Sequence, residues 1–182
     1  MNTTRKIGDI IQFGEFEWCI INIHEGIALL LSRYVIQKKP YHIRDEAVTW
    51  EKCTLRQFLN GFFYKSFEIE ERNLIVEKKI RNDNNQQYGT PGGNETSDYI
   101  FLLNADEMDK YCNDYKLRKG LDLNKKAAMW WLRSPGGYAY CAINVNTVGR
   151  VYLPGTRVNS TTLGIRPAMY INICNKINWS QK

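Results

Sequence analysis

Apolar residues near the amino terminus follow the spacing of β-strands. Short apolar runs occupy residues 10–13, 16–23 and 27–31, and a His-Glu-Gly turn at residues 24–26 separates the last two. Glycine adopts turn conformations that branched residues resist, which supports a turn at residues 24–26. Apolar runs that turns separate are typical of a meander of two or three strands. The sequence therefore predicts a β-rich amino-terminal part.

The carboxyl-terminal third returns to strand-like patterning. Apolar or alternating runs recur at residues 129–132, 139–145, 150–153 and 165–173. Residues 146–149 have the composition of a hairpin turn, and Pro154-Gly155 predicts a second turn. Proline lacks the backbone N–H that a strand ladder uses, so Pro167 predicts that the last strand begins near it or lies at a sheet edge.

Helical spacing is confined to the middle of the chain. Capping boxes at residues 54–57 and 104–107, a candidate cap at Ser66 and apolar residues at helical intervals after them predict helices over residues 54–62, 66–76 and 104–113. Residues 81–98 are rich in Asn, Gln and Gly, and we expect a surface loop there. The predicted class is α+β, with strands at both ends and helices in the middle.

Composition limits the size and the partners of the protein. A chain of 182 residues with 43% hydrophobic side chains fits one domain. The formal net charge is +6, but the basic residues are scattered among carboxylates, so nucleic acid is not an expected partner. The chain has neither an apolar signal core nor an apolar run near the roughly 18 residues that cross a bilayer. We expect a cytoplasmic protein without a membrane span.

Residues that could perform catalysis or bind metals are sparse. The five cysteines are widely spaced without a CxxC motif, which favours reduced, buried thiols over disulfides or zinc. The two histidines, His24 and His42, lie near no Cys or Ser motif that indicates an activated nucleophile. We expect no metal and no cofactor, and a binding domain is favoured over an enzyme.

Residues 136–163 have an unusual composition. They contain no Asp, Glu, Lys, Gln, Met or Trp, and Tyr, Asn, Ser, Thr, Gly and two Arg replace these types. Antibody loops use a similar set of residues to bind many surfaces. The candidate ligand-binding residues are Tyr138, Tyr140, Asn144, Asn146, Arg150, Tyr152, Arg157 and Asn159. Because this segment has no carboxylate, calcium-dependent sugar binding is not expected.

Several motifs carry a resemblance over nearly the whole chain. These motifs are FGEFEW, TWEKCTLRQFLNGFFY, GGNETSDYIFLL, WWLRSPGG and LGIRPAMYINI. They resemble a family of small, functionally uncharacterised bacterial domains with WWLRSPG and GVRPA signatures. This chain has Ile165 where that family usually has Val.

That family is similar in turn to C-type-lectin-like domains of the formylglycine-generating-enzyme type, including variable proteins diversified by retroelements. The resemblance implies a lectin-like fold in which amino- and carboxyl-terminal strands pair and a loop-rich second half forms the ligand site. It divides the single domain 1–182 into a scaffold (1–135), a display segment (136–163) and a closing strand (164–174). Adenine-directed mutagenesis of Asn codons cannot yield Lys, Glu, Gln, Met or Trp, and the display segment contains none of these.

Structural roles are expected for four residues of the two signature motifs. Trp130 and Trp131 supply apolar area on opposite faces of a strand. Arg133 and Arg166 can each bond several backbone carbonyls and hold irregular segments in place. An anion-binding role is the alternative for both arginines.

The sequence favours a metal-independent binding domain, with a protein surface as ligand and a glycan or small molecule as alternatives. Two other classes stay open. One is a structural or assembly component, associated with a phage or a surface, and the other is an enzyme of unknown type.

Overall fold

The computed structural model describes residues 5–174, and strands dominate this part of the chain, with about 35% of residues in strands and 18% in helices. The strands in chain order are β1 (Ile10–Phe13), β2 (Phe16–His24), β3 (Ile27–Ser32), β4 (Gln37–Lys38), β5 (Ile75–Val76), β6 (Lys78–Ile80), β7 (Thr96–Asp98), β8 (Ile100–Phe101), β9 (Trp130–Pro135), β10 (Cys141–Val145), β11 (Val151–Arg157), β12 (Gly164–Ile165) and β13 (Ala168–Asn172).

The helices among the described residues are short. They are α1 (Thr54–Phe58), α2 (Ile69–Arg72), α3 (Ala105–Tyr111) and α4 (Tyr115–Arg118). A 3₁₀ turn at Trp50–Lys52 precedes α1, and a π-helical turn at Leu59–Phe63 continues it. Each helix connects strands, and none forms a layer of its own.

The described strands form three sheets. The first sheet has the order β1-β2-β3-β13-β5, and β8 also pairs with β13. The second has the order β11-β10-β9-β12-β4, and β6 pairs with β7 in a separate two-stranded ribbon. In the first sheet β13 runs antiparallel to β3, so strands from both ends of the chain lie side by side.

The predicted fold class is wrong. The protein is mostly β, and the helices are not central as the lectin-like α+β layout required. The helices predicted over residues 54–62 and 104–113 are present, as α1 with its π-helical continuation and as α3. The helix predicted over residues 66–76 is reduced to Ile69–Arg72, because β5 occupies its end and pairs with β13. Helices of four to seven residues gain little from local propensity, so the packing of the strands decides this region.

Of the caps and turns predicted from local sequence, some are confirmed and others are wrong. The capping box that opens α3 is confirmed, because Asn104 and Glu107 exchange side-chain and backbone bonds. At α1, however, Cys53 is the cap, and its Sγ accepts the N–H of Arg56 at 3.3 Å. The predicted turn at Pro154-Gly155 is also wrong, since both residues lie inside β11. Gly155 adopts a φ of +75° there, and a Cβ would lie 2.5 Å from the Ala142 carbonyl oxygen.

The predicted closing strand divides at Arg166 and Pro167. β12 precedes this pair and belongs to the second sheet, whereas β13 follows it and belongs to the first. Pro167 has no N–H to continue a ladder, which is consistent with a strand that starts anew at Ala168. One short segment therefore links the two sheets.

The tryptophans of the first signature are fully buried. The indole Nε1 of Trp130 donates to the Arg118 carbonyl at 3.0 Å, and that of Trp131 donates to the Lys39 carbonyl at 2.9 Å. The ring of Tyr41 meets Trp131 edge-on at a centroid distance of 5.9 Å. Each buried indole N–H thus has an acceptor, which avoids the desolvation penalty of an unpaired donor.

The buried thiol of Cys53 predicts a specific alkaline sensitivity. Burial raises its pKa from 9.0 to about 12, so the folded state keeps a proton that the unfolded chain loses above pH 9. This contribution to stability is complete below pH 9 and is lost as the pH rises towards 12. In Cys53→Ala, urea unfolding should show a shallower fall of the unfolding free energy above pH 9, by up to about 1 kcal/mol per pH unit.

The exposed Cys174 provides the matched control. Cys174→Ala should keep the wild-type pH dependence. An identical slope for Cys53→Ala and the wild-type protein would contradict the assignment.

Candidate binding surface

Three of the predicted binding residues come together at one end of the hairpin formed by β10 and β11. The rings of Tyr138 and Tyr140 stack in parallel, with centroids 5.3 Å apart and an interplanar angle of 2°. The guanidinium of Arg157 lies 5.0 Å from the ring centroid of Tyr140 and forms an ion pair with Asp45. Tyr138 is 65% exposed, so this stack presents an aromatic face and a cation to solvent.

Backbone hydrogen bonds hold the turn that carries the two tyrosines. The N–H of Cys141 donates to the Tyr138 carbonyl at 2.9 Å, and the N–H of Val158 donates to the Tyr140 carbonyl at 3.0 Å. Between them, the Ala139 carbonyl accepts the N–H of Val48 at 3.0 Å. The turn is therefore tied to its own hairpin and to the segment that contains Asp45.

A third tyrosine joins this face from a distant part of the sequence. Tyr88 is 46% exposed, and a Cβ placed on Gly137 would lie 3.4 Å from its ring. We call Tyr88, Tyr138, Tyr140 and Arg157 the tyrosine–arginine surface. Sequence reasoning missed Tyr88, because nothing in the polar loop around it indicates contact with Gly137.

The side chain of Asn85 holds this loop in place. Its Nδ2 donates to the carbonyls of Pro135 and Leu153, at 2.9 and 3.1 Å. Its Oδ1 accepts the N–H groups of Gln87 and Tyr88, at 3.0 and 3.1 Å. Asn85 is only 3% exposed, so the prediction that residues 81–98 form a surface loop is wrong in part. The last three residues of that stretch also form β7, which pairs with β6.

A polar cleft adjoins the tyrosine–arginine surface behind the Asn85 turn. Its volume is about 310 Å³. The lining residues are Asp83, Asn84, Asn85, Gln86, Gln87, Asn104, Ala105, Asp106, Asp109, Ser134, Ile143 and Leu153. Eight of these residues carry amide or carboxylate side chains, and Ala105, Ile143 and Leu153 supply apolar surface. Such a cleft offers hydrogen-bond acceptors and donors to a polar group of a ligand.

Other predicted binding residues lie elsewhere. Asn144 is buried, and its Nδ2 donates to the Thr156 hydroxyl at 2.9 Å. Asn146 closes the hairpin turn, where its Oδ1 accepts the N–H groups of Val148 and Arg150 at 3.1 and 2.9 Å. This pairing confirms the turn predicted at residues 146–149.

Three further predicted residues are exposed but separate. Arg150 and Tyr152 lie beside that turn, while Asn159 follows the end of β11. In the hairpin register Asn144 faces Tyr152 and Cys141 faces Arg157, so Tyr152 and Arg157 are separated by about 15 Å along the strand. The predicted residues therefore form at least two groups and not one patch.

The thiols and histidines have structural surroundings. Burial raises the pKa of Cys19, Cys53, Cys112 and Cys141, and at Cys141 this effect outweighs the opposing charge of Arg157. An activated thiolate needs the opposite shift. The ring of His42 is engaged at both nitrogens, with the Thr54 N–H at 3.2 Å and Glu46 at 3.0 Å.

Neither a metal site nor a membrane helix stands out in the described part. Residues 5–174 contain no group of three or more His, Cys, Asp and Glu side chains arranged to hold a metal ion. Within the same range, every helix is too short or too polar to cross a bilayer.

Comparison with known proteins relates this chain to a protein family. Residues 25–173 fit the model of a family described as a domain of unknown function, DUF6273. The chain belongs to this family. The matched range begins at the turn between β2 and β3, ends directly after β13, and includes both signature motifs.

The match confirms the resemblance to a functionally uncharacterised family, and nothing in the comparisons supports the likeness to lectin-like variable proteins. Neither the curated proteins nor the solved structures contain a match to this chain.

The role of Asn85 in holding Tyr88 can be tested directly. In Asn85→Ala the amides of Gln87 and Tyr88 lose their acceptor, so their hydrogen exchange should accelerate at least tenfold. The free energy of unfolding should fall by about 2 kcal/mol, because the carbonyls of Pro135 and Leu153 also lose a donor.

Gln86→Ala is the control in the same turn, since within residues 5–174 the Gln86 side chain bonds only Asp106, on the surface. It should leave both amides protected. Unchanged exchange in Asn85→Ala would contradict the proposed anchoring.

Proposed function

We propose that this domain is a metal-independent recognition module that binds a protein surface through the tyrosine–arginine surface and the adjoining polar cleft. The observation that carries the proposal is the parallel stack of the exposed Tyr138 on Tyr140, with the guanidinium of Arg157 over the Tyr140 ring. Tyr and Arg are the residue types that most often dominate binding energy at protein interfaces.

The rigidity of this surface supports the proposal. Its turn is held by backbone bonds on both sides, and Tyr88 is positioned by a fully bonded, buried Asn85. A preorganised surface loses little conformational entropy on binding, which leaves more of the contact energy for affinity. Tyrosine adds to this advantage because only two side-chain torsions need ordering.

The polar cleft supplies specificity in this proposal. An aromatic stack can bind many different partners. Amides and carboxylates that line a cleft favour a ligand whose hydrogen-bond donors and acceptors match their positions. Asp106 lies in this cleft with its carboxylate bonded to Gln86, at 3.0 Å to each oxygen. A polar loop of the partner protein fits the cleft, and a glycan is the alternative ligand of the same chemistry.

An assembly role is the second candidate. β11 is the edge strand of its sheet, and Tyr152 and Leu153 on it are 49% and 37% exposed. Edge strands with exposed apolar side chains are common sites of contact between chains. In that case the hairpin would meet another subunit.

Alanine substitutions test the recognition proposal. Tyr138→Ala and Arg157→Ala should each weaken binding to the partner about tenfold or more, because an interface anchor contributes at least about 1.4 kcal/mol. The partner is first identified in an extract of the source cells as a protein that the wild-type domain captures and that both variants fail to capture. Its affinity for purified wild-type and variant domains is then measured by titration calorimetry.

Tyr115→Ala is the matched control, since Tyr115 is 57% exposed but lies on α4, away from this surface. It should keep the wild-type affinity. Equal binding by all variants would refute the recognition surface. Self-association that Tyr152→Ala abolishes would favour the assembly role.

Diversification by a retroelement remains part of the proposal for the display segment. Exposed positions such as Tyr138, Tyr152 and Arg157 tolerate changes of side chain, whereas Asn144 is buried and Asn146 fixes the turn. Changes between copies should therefore concentrate at the exposed codons.

Sequencing the DNA that flanks the gene tests this point. Diversification predicts a second, near-identical copy of the stretch that encodes residues 130–166, differing at adenines, beside a reverse-transcriptase gene. Absence of such a copy would leave a recognition surface that does not vary.

A further inference from the structure

A second concave site lies where the turn between β2 and β3 meets β6 and α3. Its volume is about 580 Å³. The lining residues are Asn22, Ile23, His24, Glu25, Ile27, Lys78, Lys79, Lys110, Tyr111 and Tyr170. This volume falls within the range of roughly 300 to 1,000 Å³ that small-molecule sites occupy. We call it the lysine pocket, and it shares no lining residue with the polar cleft.

Positive charge predominates in the lysine pocket. Three of its lining residues are lysines, and Glu25 is the one carboxylate among them. Glu25 lies 3.8 Å from the ring of His24, and both side chains are largely exposed. The pocket therefore presents an excess of cations in a concave surface, which strengthens their combined field on an anion.

Two of these lysines have no carboxylate partner within the described part of the chain. The ammonium of Lys78 lies 5.7 Å from the ring centroid of Tyr170, and that of Lys110 lies 4.9 Å from the ring centroid of Tyr111. Lys79 is the exception, in a loose, exposed pair with Glu95 at 3.6 Å. Elsewhere, by contrast, arginines such as Arg56, Arg118, Arg133 and Arg157 pair with carboxylates.

The aromatic residues of the pocket add further donors. The hydroxyl groups of Tyr111 and Tyr170 form no hydrogen bond to any residue within the described range. Burial, together with the nearby charge of Glu107, raises the pKa of Tyr170 to about 12. Its hydroxyl therefore keeps its proton at neutral pH and can donate. The Tyr170 ring is held in place by stacking on Phe101 at 5.6 Å.

We propose that the lysine pocket binds a small soluble phosphate ester that carries two or more negative charges and a planar ring. The ammonium groups of Lys78, Lys79 and Lys110 contact the phosphate oxygens, and the tyrosine hydroxyls donate to them. The planar ring packs against the aromatic and aliphatic floor of Tyr170 and Ile27.

Charge number and shape favour this ligand class. Lysine acts as a point charge that suits phosphate without requiring a fixed planar geometry, and several lysines match several charges. A long polyanion fits less well, because Glu25 lies at the rim and the pocket is concave. The basic residues in the rest of the chain are interspersed with carboxylates, so no continuous track leads away from it.

Titration calorimetry with ADP, inorganic pyrophosphate and adenosine tests the proposal. ADP should bind, pyrophosphate should bind more weakly, and adenosine should bind at least tenfold more weakly than ADP. The double variant Lys78→Gln/Lys110→Gln should lower the affinity for ADP at least tenfold, and Tyr170→Phe should lower it several-fold. Raising the salt concentration should weaken ADP binding, as expected for partly exposed charges.

Lys65→Gln is the matched control, since it removes one exposed lysine outside the pocket. It should bind ADP as the wild-type protein does. Circular dichroism spectra of all variants check that the fold is intact.

Three results would overturn the proposal. The first is the absence of ADP and pyrophosphate binding at millimolar concentration. The second is an equal loss of ADP affinity in Lys65→Gln and in the double variant. The third is binding restricted to nucleic acid or to anionic vesicles. Tyr138→Ala should leave ADP affinity unchanged, so this test stands apart from that of the recognition surface.

Discussion

The buried side chain of Arg166 holds the junction on which the arrangement of both large sheets depends. It sits between β12 of the second sheet and β13 of the first, where Pro167 interrupts the ladder. Its Nε donates to the Ser32 carbonyl at 2.9 Å, its Nη1 donates to the Leu117 carbonyl at 2.7 Å, and its guanidinium lies 4.9 Å from the Trp130 ring. Burial lowers its pKa to about 10, which shows how strongly the charge is desolvated, and backbone carbonyls take the place of a carboxylate. Removing these bonds would leave carbonyls from two elements without donors at the point where the sheets join.

A second buried arginine connects the binding regions to that framework. Arg133 donates to the Leu102 carbonyl at 2.7 Å and to the Arg81 carbonyl at 3.0 Å, and it pairs with Glu107. Glu107 is also the residue that closes the capping box of α3. One side chain thus fixes the start of α3 and the beginning of the polar loop that forms the cleft. The polar cleft includes Asp106 near the start of α3, and the lysine pocket includes Lys110 near its end. This distribution places acidic groups at the amino-terminal end of the helix and a basic group at its carboxyl-terminal end, which its dipole favours.

Buried polar contacts explain how an Asn-rich and Gly-rich stretch becomes part of a defined structure. Asp98 has no exposed surface, and it accepts from Trp50 at 2.8 Å, from Thr96 at 2.9 Å and from Arg56 at 2.6 Å. Asn85 plays a similar role nearer the tyrosines. Buried groups of this kind are stable only when all their hydrogen-bonding capacity is used, and that requirement allows few alternative loop conformations. The tyrosine–arginine surface is rigid for this reason.

The sequence by itself determined the elements whose signals are local. Short apolar runs located β1, β2 and β3, the turn at residues 146–149 followed from its own residues, and the capping box of α3 was visible at residues 104–107. Tertiary structure decided the rest, because the forces involved act between segments that are far apart in the chain. The helix predicted over residues 66–76 was cut short where β5 pairs with β13, and the closing strand was divided between two sheets at Arg166 and Pro167. The aromatic and cationic residue types of the candidate surface were readable from composition, but their grouping was not. Tyr88 lies near Gly137 in a turn that Asn85 anchors, and Asn144 is buried by its partner strands. A residue pattern does not encode which distant backbone group will accept a side chain's hydrogen bond.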